Sequence, residues 1–234
     1  MIIAGLQKTT LIDYPGKLSC TVFLAVCNFR CPWCYSSELV LPVKIAKQPR
    51  LSEKQFFDFL RQRKDLLEGV VICGGEPTVN KELPQFIEKI KRMGYSVKLD
   101  TNGSNPKMLK DLVSRRLVDY VAMDIKAPKE KYSIVFSEGA NIKDIEESVE
   151  FIKKSVIDGE FRTTVVPTIH KKEDFLEIAK WIGGQNVKYY LQNFRPEKTI
   201  DPEFEKVKPF QKEFLQDIAK EISPYFKVCQ VRQV

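Results

Sequence analysis

Cys27, Cys31 and Cys34 are the residues of this chain best suited to chemistry, and their spacing is C-x3-C-x2-C. Clustered thiolates are soft ligands that select iron–sulfur clusters, zinc or cuprous copper. Three cysteines fall one short of a closed tetrahedral zinc site or an all-cysteine cubane. A [4Fe–4S] cluster held by these three would leave one iron free to bind and reduce a small molecule. The competing reading is a zinc knuckle completed by a fourth ligand, for which His170, the single histidine, or Cys73 is available. Cys20, Cys73 and Cys229 are too scattered to form a second cluster; Cys20 reads as a small core residue and Cys73 as packing.

Further polar groups stand where apolar runs end. Gly74-Gly75-Glu76-Pro77 is a turn in which glycine lets backbone approach a ligand closely. Asp100-Thr101-Asn102-Gly103 and Met123-Asp124-Ile125-Lys126 follow two more apolar runs, and aspartates from adjacent strands invite a cation.

These segments need a scaffold that brings run ends together. Leu18–Ala25 reads as a buried first strand leading straight into the cysteine loop. Gly69–Cys73, Ser96–Asp100, Tyr120–Asp124, Arg162–Val166 and Val187–Gln192 read as five more. Helical stretches separate them: one from Ser52, where Gln55 completes a capping box, to about Glu68, then Glu82–Met93, 106–116, Lys143–Ile157 and Asp174–Trp181. Strand–helix alternation at this period predicts βαβ units and a parallel sheet. Six such strands make an open, incomplete barrel, with its sites beyond the C-terminal strand ends. A Pro- and charge-rich connection, Arg195 to Pro209, reads as a surface lid or loop; a helix near 210–222 and a short strand, Phe226–Val231, close the chain. The expectation is one domain over 1–234, with a core of about 18–194 and an extension of about 195–234.

Composition narrows the class. The chain has 234 residues, 43% hydrophobic and 29% charged, which suits one globular domain and excludes disorder. No apolar run approaches the ~18 residues of a membrane span, and the start lacks the basic-then-apolar order of a signal peptide. A cytoplasmic protein is expected, with no membrane role. The net charge of +7 is spread among acids along the helices, so no direct nucleic-acid role is read from it.

The cysteine motif, with Trp33 just before its last cysteine, resembles the cluster loop of radical S-adenosylmethionine (SAM) enzymes, and Gly74-Gly75-Glu76-Pro77 resembles the second motif of that family. Gly5-Leu6-Gln7-Lys8-Thr9-Thr10-Leu11-Ile12-Asp13-Tyr14-Pro15-Gly16 is similar to the activating enzymes of anaerobic ribonucleoside-triphosphate reductase. The resemblance implies an α/β fold of the partial (βα)6 TIM-like barrel type, a [4Fe–4S] cluster on Cys27, Cys31 and Cys34, and SAM as cofactor. It implies cofactor contacts from Trp33, Gly74, Gly75, Glu76, Pro77, Asn102, Arg162, Thr164 and Gln192. Asp100, Thr101 and Asp124 would hold a monovalent cation, Na+ or K+, and Lys126 would pair with the cofactor carboxylate. Partners would be a glycyl-radical enzyme, the large subunit of anaerobic ribonucleotide reductase, and a flavodoxin or ferredoxin-type electron donor. Phe29 and Trp33, being on a loop, are expected at the pocket wall or partner surface. Two departures stand out: Phe194 where related activases carry a histidine nearby, and Val26 where the family usually has glycine, which predicts a rearranged loop entrance. The other readings are activation of another glycyl-radical enzyme of the pyruvate formate-lyase type, a small-molecule enzyme resembling 7-carboxy-7-deazaguanine synthase, and a non-catalytic zinc or iron–sulfur module.

Overall fold

In the computed structural model, which describes residues 1–136 and 140–232, eight strands form one sheet in sequence order. They are β1 (Ile3–Thr10), β2 (Ser19–Leu24), β3 (Gly69–Gly74), β4 (Ser96–Thr101), β5 (Tyr120–Asp124), β6 (Asp158–Val165), β7 (Gly184–Asn193) and β8 (Phe226–Arg232). β1 pairs antiparallel with β2. Every later pairing, through β7 with β8, is parallel. The helices are α1 (Ser37–Val40), α2 (Pro42–Ile45), α3 (Glu53–Gln62), α4 (Leu83–Arg92), α5 (Pro106–Ser114), α6 (Ile142–Lys154), α7 (Lys172–Ile182) and α8 (Lys212–Ile222). The architecture is a partial TIM barrel with β1 and β8 as its two edges.

All six expected βα strands form, with two strands outside them. Ile3–Thr10 precedes the strand read as first; its polar Gln7-Lys8-Thr9 stretch is exposed, so it carries no buried apolar run to betray it. At the other end, Phe226–Arg232 adds a parallel strand to β7 through Tyr189↔Cys229 and Gln192↔Arg232. The C-terminal segment is thus continuous with the sheet. β6 begins at Asp158, which puts Arg162 in mid-strand.

Local chemistry sets the helix ends. Ser52 and Gln55 form the capping box that starts α3, which ends at Gln62 instead of running to Glu68 because Asp65 turns the chain at φ 68°. Gly94, at φ 91°, follows α4. Asn105 accepts from the Met108 amide to cap α5, with Pro106 at its first position. Apolar residues from these helices and the outer strand faces form one continuous core. Among the described residues no helix is long and apolar enough to cross a membrane.

Inside the barrel a small cluster of Tyr14, Val71, Tyr120 and Ala122 fills the floor, where the Tyr14 and Tyr120 rings lie 6.0 Å apart. The Gly5–Gly16 segment therefore builds the edge strand and the closed end, opposite the cysteine loop. Asp13 fixes it by accepting from the Thr21 hydroxyl at 2.6 Å.

Candidate metal and cofactor site

The cysteine loop leaves the C-terminal end of β2 and is tied to its surroundings on every side. Its entrance bonds to the tip of β3: the Gly75 amide donates to Leu24 O and the Glu76 amide to Val26 O, each at 2.8 Å. The two glycines are there because backbone passes backbone. A Cβ on Gly75 would lie 2.2 Å from Val26 O, and one on Gly74 2.2 Å from Leu24 O. Gly74 also sits at φ 124°, which only glycine adopts readily.

Val26 keeps the left-handed backbone, at φ 81°, instead of rearranging the entrance. Its amide donates to Leu39 O in α1 at 2.8 Å, and its carbonyl receives the Glu76 amide. Beyond it, the Phe29 amide donates to Cys27 Sγ at 3.3 Å. The Arg30 guanidinium folds back onto the carbonyls of Cys27 and Phe29 at 2.7 Å.

Glu76 joins β3 to β4. Its buried carboxylate accepts from the Thr78 amide and hydroxyl, from the Thr101 hydroxyl at 2.8 Å and from the Asn102 amide at 2.6 Å. Burial raises its pKa despite those donors. Asn102 passes the connection on, donating from Nδ2 to Asn28 Oδ1 at 3.1 Å, while Asn28 donates to Ser104 Oγ at 2.8 Å. One buried acid thus aligns the cysteine loop, the Gly-Gly-Glu-Pro turn and the β4 tip.

Cys27, Cys31 and Cys34 are free thiols, and Cys34 is close enough to raise the pKa of the other two. Burial is the larger cause and pushes Cys27 and Cys31 up to about 12. Among the described residues no set of three His, Cys, Asp or Glu side chains is gathered for a single metal ion. A cubane differs in that each cysteine binds its own iron corner. The donor set fits that cluster: three soft sulfurs on one anchored loop, with no fourth protein donor gathered beside them among the described residues. His170 is committed elsewhere, since its Nδ1 accepts from the Val166 amide and its Nε2 faces Lys126 O, both at 2.9 Å. Cys73 lies in the field of Asp100, Arg162 and Lys98.

The barrel interior carries an ionic network. Arg162 Nη1 donates to Asp100 Oδ2 and its Nε to Asp124 Oδ1, each at 2.9 Å, while Lys126 Nζ donates to Asp124 Oδ2 at 3.0 Å. Buried Lys98 pairs with Asp100. Burial alone would raise both aspartates; Arg162 with Lys98 holds Asp100 low, and Arg162 with Lys126 holds Asp124 at about 2. Asp100 and Asp124 come together as expected, but the cation between them is a guanidinium, and the Thr101 hydroxyl turns to Glu76. Arg162 thus bridges the two aspartates read as a Na+ or K+ site. Thr164 and Gln192 are register partners on β6 and β7, and Pro77 opens the short turn after Glu76.

Phe29 and Trp33, expected at the pocket wall or partner surface, are buried to 2% and 5% exposure. Phe29 is covered by the segment after β5, where it bridges Phe136 with the two rings 5.7 Å apart; Trp33 is covered by the segment after β7, which folds over the loop. Its Asp201 amide donates to Pro32 O at 2.9 Å, and its Lys198 O accepts from the Ser37 hydroxyl at 2.8 Å. Phe204 meets Trp33 at 6.3 Å and also contacts buried Phe194. Sequence reasoning missed Lys98, Glu160 and Arg232. The signal was present in Lys98-Leu99-Asp100 and Glu160-Phe161-Arg162, where charged residues alternate with apolar ones, putting charge on the inner face of a buried strand.

Comparison with known proteins agrees with this architecture. The profile of the Radical SAM superfamily matches residues 21–182. A Methanocaldococcus jannaschii protein, named provisionally as a glycyl-radical enzyme activating enzyme, is 32% identical across all of this chain and 96% of its own length. The 7-carboxy-7-deazaguanine synthase of Aquifex aeolicus is 26% identical over 67% of this chain and 84% of its own. Among solved structures, SuiB of Streptococcus suis bound to S-adenosylmethionine superposes with a TM-score of 0.65 at 14% identity, covering 92% of this chain and 51% of SuiB.

Proposed function

The chain belongs to the radical SAM superfamily, and from that premise we propose that it activates a glycyl-radical enzyme, the large subunit of an anaerobic ribonucleotide reductase. The observation that carries this reading is likeness along the whole chain to a protein named for glycyl-radical activation. The Gly5–Gly16 segment narrows it to the reductase. Exposed Val26, Tyr35, Val43 and Ile134 edge or adjoin the cysteine loop and offer an apolar rim to a protein surface.

In this reading Cys27, Cys31 and Cys34 hold a [4Fe–4S] cluster. Bound there, the cluster would supply one-electron reductive cleavage of SAM, fed by a flavodoxin or ferredoxin-type donor in the cytoplasm, and so the radical chemistry that takes hydrogen from a glycine. The protein contributes position and charge. Gly74 and Gly75 let backbone amides and carbonyls come close to the cofactor's amino-acid end. Glu76 keeps that turn and the β4 tip in register with the loop. Lys126 and Arg162 present positive charge to a carboxylate, and Trp33, Pro77, Asn102, Thr164 and Gln192 line the same end of the barrel. Asp100 and Asp124 act by holding Arg162 and Lys126.

The test is anaerobic reconstitution followed by dithionite and SAM, with and without candidate glycyl-radical proteins. A glycyl electron-paramagnetic-resonance doublet on the reductase is the expected result. Turnover of a small molecule such as a deazapurine precursor, with no doublet on any protein, would favour the synthase-like alternative, for which the Aquifex likeness speaks. No 5′-deoxyadenosine under any condition would remove the enzymatic reading.

A further inference from the structure

The last strand reaches into the barrel. Arg232, near the end of β8, donates from Nη1 and Nη2 to the two carboxylate oxygens of Glu160 at 2.6 and 2.8 Å. The Glu160 side chain is fully buried, and the Tyr120 hydroxyl donates to it at 2.8 Å. The Arg232 guanidinium lies over the Tyr190 ring, 3.8 Å from its centroid. Among the described residues the one salt-bridge partner of Glu160 comes from the edge strand.

Glu160 stands two residues before Arg162 on β6, and alternation puts both side chains on the inner face. Arg162 therefore has three carboxylates in reach of its field, Asp100, Asp124 and Glu160, but bonds only to the first two. It is free to do so because Arg232 neutralises the third. A buried carboxylate stripped of its cation is strongly unfavourable. Without Arg232, the nearest guanidinium able to turn toward Glu160 is that of Arg162, and turning would uncouple it from Asp124 and so from Lys126.

We propose that Arg232 is a positioning residue for the cofactor pocket: by satisfying Glu160 it keeps Arg162 bridging Asp100 and Asp124 at the barrel mouth, and so sets the affinity for SAM. The proposal rests on the reading of this end of the barrel as the SAM site. Its first readout is independent of that reading. In the full chain without cluster or cofactor, the Arg162 Nε–H, which donates to Asp124, gives a side-chain NMR signal. Arg232→Met shifts that signal and speeds its exchange with water. The double variant Glu160→Gln/Arg232→Met, which removes the charge that pulls on Arg162, restores both.

The second readout is SAM binding to the reconstituted protein by equilibrium dialysis. Arg232→Met weakens it about tenfold, within the usual range of coupling between sites, and the double variant recovers most of the loss. An Arg162 signal unmoved in Arg232→Met overturns the proposal. A double variant as weak as the single also overturns it, since β8 would then act only by zipping the sheet edge. Failure of the parent protein to bind SAM would instead sink the functional reading, leaving the Arg162 signal to judge the ionic linkage.

Discussion

Val26 holds a backbone conformation that its own side chain opposes. At φ 81° a β-branched residue is a genuine outlier, and such strain costs about 1–3 kcal/mol. The side chain is 43% exposed, so burial offsets little of it. What enforces the angle is the pair of bonds to Leu39 and Glu76, together with Gly75 lying flat against the Val26 carbonyl. Replacing Val26 by glycine should relieve the strain at the cost of glycine's extra chain entropy, about 0.5–1 kcal/mol. The expected net gain is about 1 kcal/mol, read as a higher urea midpoint for the cluster-free protein; an equal or lower midpoint would show that the surroundings absorb the strain. The sequence exposes this conflict, because a valine stands where a positive-φ glycine is usual. It does not reveal that the hydrogen-bonded neighbours win and the entrance keeps its shape. The same limit applies to Asp100 and Asp124: their meeting was legible from two strand ends, but the guanidinium between them was not, since Arg162 comes from a strand whose start was placed four residues late.

At the scale of elements, the segment from Arg195 to Pro209 is more than a surface loop. It contributes Asp201, Lys198 and Phe204 to the back of the cysteine loop and covers Trp33, while Phe29 is covered by Phe136. No periodicity marks the contacts of such a strap, because they are single residues meeting distant ones. The βα units were legible because most buried parallel strands are short apolar runs and the helices between them are amphipathic; three helices also carry side-chain caps, Ser52, Asn105 and Asn141 accepting from their own first turns. Phe204→Ala should loosen the strap without touching any cysteine. In the cluster-free protein, thiol labelling at Cys31, only 8% exposed, should then speed up severalfold. Exchange of the Asp201 amide should quicken with it, because both report opening of the same clamp. Unchanged labelling would mean that the bonds to α1 and β3 hold the loop alone.

For the whole molecule, the buried ionisable groups dictate how stability responds to acid. His170 sits between Trp33 and Phe175, with ring centroids at 6.2 and 5.5 Å. Its Nδ1 accepts the Val166 amide, so the ring is the tautomer that donates from Nε2 to Lys126 O. Burial lowers its pKa to about 4. Above about pH 6.5 the ring is neutral whether the chain is folded or unfolded; below that the unfolded chain takes the proton first, so stability drains away until the folded ring titrates near 4. The total is on the order of 3 kcal/mol. A second loss follows at lower pH. Asp124, held at about 2, and Asp100 and Glu160, both held low by their cations against burial, stabilise the fold above the ordinary carboxylate range and stop doing so as pH falls through their folded values. Glu76 runs the other way: its raised pKa lets the folded state take up a proton first, which blunts the acid step without cancelling three opposing groups. Urea midpoints of the cluster-free protein between pH 7 and 3 should therefore fall in two stages. His170→Gln should erase the upper stage and leave the lower, since glutamine does not titrate while the interior network is untouched. A single-stage curve in the parent, or an upper stage that survives the substitution, would mean that the barrel opens to water before His170 is protonated.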